Sequence, residues 1–245
     1  MVVLRRWTTS LPALSALVSA GLWHATRTDE RRDVATEVLG LFLGLGVAVY
    51  AIGILPGDVL VRQYLLQSDG GAVRTFARWA NYGGRVHVLL PAAIVLFWLS
   101  SVARRNWRVW CAVLIGSSLI QHAFKFLVGR SRPSGSSLGF PSGHTTAAAT
   151  FAIVLVYIAS REQLSRAQRV ILDALGVSLM LAVGWARIMR HAHWPSDVLG
   201  GFLLGIGCAA AAAWWASSHA EAAAESQRVG DPEAPRQMMP TTSQS

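Results

Sequence analysis

Residues 187–197 read RIMRHAHWPSD, with two arginines, two histidines and one carboxylate in eleven residues. Apolar segments flank this stretch, at about residues 170–188 and 195–217. A bilayer core about 30 Å thick needs about 20 apolar residues of helix. The spacing therefore puts the charges at a membrane–water boundary.

Outward from there, four more apolar segments stand out at about 34–55, 86–103, 107–128 and 144–160. The chain of 245 residues is 53% hydrophobic and 14% charged, whereas soluble domains carry about 25% charged residues. These figures exclude an ordinary soluble domain. They predict an all-α, polytopic membrane helix bundle of about six transmembrane helices. Frequent glycine and alanine suit close helix packing in lipid. Residues 1–33 are expected to form an N-terminal cytoplasmic or interfacial segment, 34–217 the six-span domain, and 218–245 a disordered polar tail. Within 1–26, a short apolar run follows Arg5 and Arg6. It resembles a signal peptide, and equally fits an interfacial helix or an extra span. Residues 56–84 are too polar to span and read either as interfacial helices or as a connecting loop.

The formal net charge of +9 first suggests nucleic acid. The arginines, however, cluster at the ends of the apolar segments, where orientation signals and anionic headgroup contacts belong. No nucleic-acid partner is expected. Arg27, Arg31 and Arg32, Arg104, Arg105 and Arg108, Arg161, Arg166 and Arg169, and Arg228 and Arg236 fall on one side, which the positive-inside rule assigns to the cytoplasm. Arg62, Arg74, Arg78 and Arg85, with Arg130, Arg132, Arg187 and Arg190 near the motifs, fall on the other, so the bias is imperfect. Cys111 and Cys208 lie inside apolar runs, far from any CxxC pattern, and read as small buried hydrophobes.

Three polar stretches then share the outer side: KFLVGRSRP at 125–133, PSGH at 141–144, and RIMRHAHWPSD. Lys125 sits in an apolar segment, which is costly without a task, although it could also snorkel to the interface. With Arg132 and Arg187 it makes three cations, and guanidinium forks match phosphate oxygens. Pro141 through His144 open a helix whose free N–H groups and dipole suit an anion. Gly143 admits close backbone approach, and Ser142 can cap the helix or donate to a phosphate oxygen. His144 is placed to point into the site from the first turn. His193 and Asp197 are four apart and can meet on one side of a helical turn. A carboxylate on one ring nitrogen fixes the tautomer and frees the other nitrogen as a nucleophile. His191 is expected to face elsewhere.

As a set, these residues resemble the type-2 phosphatidic acid phosphatase family, whose core is shared with the vanadium haloperoxidases. The family pattern K-x6-RP, PSGH and SR-x5-H-x3-D is met by Lys125, Arg132 and Pro133, by Pro141 through His144, and by Arg187, His193 and Asp197. Ala186 stands where the family often has serine. The resemblance implies a membrane lipid phosphatase with His193 as nucleophile, Asp197 orienting it, and His144 as acid and then base. Lys125, Arg132, Ser142, Gly143 and Arg187 would hold the phosphate. It implies no cofactor, and no carboxylate cluster suggests a metal site. The expected partners are the bilayer and a lipid phosphate: a polyprenyl pyrophosphate, a phosphatidylglycerophosphate or phosphatidic acid. The expected location is a bacterial inner membrane with the site on the periplasmic side. A lipid phosphotransferase using the same phosphohistidine, and a non-catalytic scaffold, are the alternatives.

Overall fold

The structure, a computed structural model, describes residues 28–135 and 137–230. Among these, the order is α1 (Thr28–Ile52), α2 (Pro56–Leu66), α3 (Gly71–Tyr82), α4 (Val86–Leu99), α5 (Ser101–Arg105), α6 (Trp107–Val128), α7 (Gly143–Arg161), α8 (Arg166–Met189) and α9 (Pro195–Gly230). The expected all-α bundle is what the chain forms.

Five helices (α1, α6, α7, α8 and α9) are long and apolar enough to cross a bilayer. The second crossing differs from the expected straight span over 86–103. Helix α4 ends at Leu99, too short at about 1.5 Å per residue to cross alone. It pairs with α3 across a short break and a 53° bend, and the two together are long and apolar enough for a sixth span, broken at the bend, or for a re-entrant loop. The stretch read as interfacial helices or a loop thus supplies two helices. Residues 71–84 carry too many arginines to register as apolar sequence, so only packing reveals the continuation.

Helix α7 is the axis of the bundle. Thr145, Thr146, Ala148, Ala149, Thr150 and Ala152 are all buried along it, and these short side chains let neighbouring backbones approach. Helix α9 answers with Gly201 and Gly205, where an added Cβ would stand 2.8 Å from Ser142 O and 2.6 Å from Thr146 O. Towards the opposite end, Trp110 stacks near Tyr157, with ring centroids 5.2 Å apart, inside a cluster of alanine and valine. At the far end of α7, Glu162 accepts from Ser100 Oγ and Val102 N and ties α7 to α5.

Two expected boundaries move. Helix α1 begins at Thr28 rather than 34, with Asp29 and Glu30 in its first turn complementing the dipole. Helix α9 runs on to Gly230, through part of the tail expected to be disordered. Alanine and glutamate favour helix there, and Glu221 accepts from Thr28 Oγ1 at 2.6 Å. The apolar run within 1–26, and the tail beyond 230, lie outside the described residues.

Candidate active site

The C-terminal ends of α6 and α8 and the N-terminal ends of α7 and α9 meet at one end of the bundle. Each delivers one piece of the sequence pattern. Lys125 comes from the last turn of α6, His144 from the first of α7, Arg187 from the last of α8, and Asp197 from the first of α9. The arrangement gathers helix N-termini and cations in one place.

His193 is 1% exposed and Asp197 fully buried. Nδ1 of His193 lies 3.2 Å from Asp197 Oδ2. An ionised carboxylate only accepts, so Nδ1 carries the proton and Nε2 is left bare. Burial lowers the His193 pKa to about 4, although the Asp197 hydrogen bond and charge oppose the shift. The imidazole is therefore neutral at pH 7, the form a nucleophile needs. Asp197 Oδ2 also accepts from Trp194 N at 3.0 Å, and Oδ1 accepts from Arg130 at 3.1 Å. Both carboxylate oxygens are fixed.

Arg130, Asp58 and Ser196 complete a buried network that the sequence did not disclose. Arg130 pairs with Asp58 through its second terminal nitrogen and donates to Ser196 Oγ at 2.6 Å. Asp58 also accepts from Ser196 N at 2.7 Å and Leu55 N at 3.1 Å. Helix α2 is thereby locked onto the start of α9. A proline two residues before Asp58 marks a helix start, and that is the only signal the sequence offers for it.

The expected phosphate cations sit differently. Lys125 donates to the carbonyls of Pro141 at 2.7 Å and Gly139 at 3.2 Å. Arg132 Nε donates to Leu138 O at 3.1 Å. A bridge between Ser131 and Leu138 and a bond from Gly139 N to Arg130 O fold this loop back on itself. The first two stretches of the pattern are thus a single structural unit. Arg187 donates to Asn81 Oδ1 at 2.6 Å, while its buried Nε has no acceptor. Lys125, Arg132 and Arg187 lie within range of one another's charge, and His144 within range of Arg132, Arg187 and His193. Like charges so close favour an anion between them.

Ser142 is the residue before α7 but does not cap it with its side chain. Its Oγ instead accepts from Thr145 Oγ1 at 2.9 Å, while its backbone N–H bonds Asp197 O at 2.9 Å. The first bond into the helix runs from Thr146 N to Ser142 O, so the amides of residues 143–145 precede the intrahelical ladder. An added Cβ on Gly143 would stand 2.9 Å from Oε1 of buried Gln121, so no larger residue fits without displacing it. His191 faces away, as expected from its offset, and Arg62 contacts its Nδ1 at 2.6 Å. Among the described residues, no group of three or more His, Cys, Asp or Glu could share a metal ion.

Comparison with known proteins agrees with this geometry. Residues 106–220 match the PAP2 superfamily. Phosphatidylglycerophosphatase B of Bacillus subtilis (strain 168) is 30% identical over 182 residues, covering 67% of this chain and 86% of that protein. YbjG of Escherichia coli (strain K12), named as a candidate undecaprenyl-diphosphatase, is 28% identical over 141 residues, covering 52% and 67%. Among solved structures, a transmembrane PAP2-type phosphatidylglycerolphosphate phosphatase from Bacillus subtilis superposes with a TM-score of 0.66 at 20% identity, over 77% of this chain and 96% of the other. LpxE of Aquifex aeolicus gives 0.55 at 20% identity, over 66% and 97%. The chain belongs to the PAP2 superfamily and is an integral-membrane phosphatase.

Proposed function

We propose that this protein hydrolyses a phosphate ester or anhydride of a membrane lipid through a phosphohistidine at His193. The observation that carries the reading is the buried His193–Asp197 pair beside three mutually repelling cations. His193 Nε2 attacks phosphorus, a nitrogen–phosphorus bond forms, and the bond to the lipid oxygen breaks. With the substrate phosphate offsetting the nearby cations, His144 takes up a proton and gives it to that oxygen. Neutral His144 then takes a proton from water, whose oxygen attacks phosphorus, and inorganic phosphate leaves with His193 restored. Asp197 stabilises the cation that forms on the ring.

Phosphoryl transfer spreads charge over three equatorial oxygens. Lys125, Arg132, Arg187 and the amides at the start of α7 would meet those oxygens, with the Ser142 hydroxyl as a further donor. The charge that a metal supplies elsewhere comes here from side chains and a helix terminus. The arginine bias at the opposite end of the bundle supports a cytoplasmic assignment for that end, and hence a periplasmic site in a bacterial inner membrane.

Names of the relatives support polyprenyl diphosphate and phosphatidylglycerophosphate as test substrates, and phosphatidic acid completes the panel. Detergent-purified protein should release phosphate from at least one of these in EDTA, and His193→Ala should release none. Activity that requires added Mg²⁺, or survives in the variant, would overturn the scheme. Label transferred to a lipid acceptor instead of water would identify a phosphotransferase.

A further inference from the structure

Beside the catalytic end lies a cleft of about 660 Å³ between α3, the start of α4 and the turn after α8. Arg78, Arg85 and Arg190 line it together with Trp79, Asn81 and Tyr82, and no acidic residue does. The contrast with nearby Arg74 is direct, since Arg74 is paired with Asp69 at 3.1 Å. Among the described residues, Arg78 reaches the Thr75 hydroxyl, at 3.3 Å, and no carboxylate. Arg85 lies over the Tyr82 ring, 4.5 Å from its centroid. Arg190 has no ion pair among the described residues.

The cleft and the proposed phosphate site share a wall, residues 81–85. On one side Asn81 holds Arg187. On the other, Gly84 presses against the start of α7, where an added Cβ would stand 2.8 Å from His144 Cβ. Arg85 follows immediately and lies within charge range of both His144 and Arg187. If His144 protonates the leaving oxygen, whatever is attached to that oxygen extends past His144 towards Arg85.

We infer that this cleft is a second anion subsite, which receives the non-scissile phosphate of a doubly phosphorylated lipid. The inference rests on the phosphatase reading above. For a lipid diphosphate, the bond from terminal phosphorus to the bridging oxygen breaks. That oxygen takes the proton from His144 and leaves as lipid monophosphate, its remaining phosphate among Arg78, Arg85 and Arg190. A phosphodiester one glycerol unit away, as in phosphatidylglycerophosphate, offers the same chemistry at longer reach. Three guanidiniums without carboxylate partners suit an anionic phosphate group, and each can donate two parallel hydrogen bonds. Lipids with a single phosphate leave the subsite unused.

The test uses full-length protein in phosphatidylcholine vesicles and pairs of substrates that carry two phosphates and one. Farnesyl diphosphate is compared with farnesyl monophosphate, and phosphatidylglycerophosphate with phosphatidic acid. In Arg78→Gln/Arg190→Gln, the ratio of kcat/KM for two phosphates over one should fall about tenfold, chiefly through KM. The arm with the larger fall identifies whether a diphosphate or a spaced phosphodiester is the natural occupant. Arg78→Lys/Arg190→Lys, which keeps the charges but not the paired donors, should recover only part of the ratio. Parallel loss on both members of a pair, or an unchanged ratio in both arms, would overturn the subsite. So would an effect that appears only when phosphatidylglycerol is added and strikes every substrate alike, which would make the cleft a seat for a bilayer headgroup. Wild-type protein that releases phosphate from nothing would instead defeat the phosphatase reading. Wild-type turnover without preference for a second phosphate would defeat the subsite alone.

Discussion

Arg130 and Arg187 are buried almost equally, 7% and 8% exposed, and lie in the same end of the bundle. Their surroundings differ completely. Arg130 is neutralised by two carboxylates, Asp58 and Asp197, and braced by Ser196. Arg187 has one neutral partner, the Asn81 amide oxygen; the buried Nε lacks an acceptor in both arginines, so the difference lies at their terminal nitrogens. An arginine whose charge is already matched serves the fold. One kept buried with its charge unmatched carries an energetic cost that a bound anion would offset, as the proposed function requires of Arg187. The contrast separates the brace of the site from its clamp without reference to any motif.

Both regions can be tested against the reacting centre between them. His193→Ala should lose at least about 10⁴-fold in phosphate release, since the nucleophile itself is gone. That loss should come without a change in thermal unfolding larger than an ordinary core substitution. Arg130→Gln strands two buried carboxylates, so a loss of about 3–5 kcal/mol in stability is expected. A shift in the thermal midpoint in mild detergent would report it, and an unshifted midpoint would erase the distinction between brace and clamp. Arg187→Gln should behave the other way, with kcat/KM down about 10²–10³-fold and the unfolding midpoint nearly unmoved.

The smallest effect concerns protons. The nucleophile must be neutral, and burial lowers the His193 pKa to about 4. Protonation as pH falls through about 4 removes the nucleophile, so this group should leave activity nearly level between pH 7 and about 5. Asp197→Asn removes the charge that opposes burial, which should move this acid limb to lower pH while slowing the plateau rate. A limb near pH 6.5 in the unmodified protein that Asp197→Asn also shifts would mean that His193 is solvated in the working enzyme, whereas one that Asp197→Asn leaves in place would belong to His144.

Much of the site was legible because its parts are short and local. PSGH announces a helix start, and the four-residue step from His193 to Asp197 fits one helical turn. The structure brings that pair to 3.2 Å. Asp58, Asn81 and Arg130 were not legible, because each acts across a long gap in sequence. Asp58 reaches Ser196, Asn81 reaches Arg187, and Arg130 reaches both Asp58 and Asp197. A lone aspartate in the first turn of a helix has an adequate local explanation and gives no hint of a distant partner. Ser142 shows the converse. Its position was read correctly as the residue before the helix, but its hydroxyl is occupied by Thr145 instead of capping.

By itself, the sequence determined that this is a helical membrane protein with its chemistry gathered at one end. Apolar length and the placement of charge between spans suffice for that, because a bilayer permits few solutions. It also singled out the His193–Asp197 pair and the three cations on which the proposed function rests, since each lies beside a span end. Tertiary structure decided that the second crossing is broken at residues 83–85, and that this break, rather than any motif, walls both Arg187 and His144. It decided too which buried arginine is matched by carboxylates and which is left for a ligand. Charge compensation depends on which side chains meet in space, and residues far apart in the chain carry no record of that meeting.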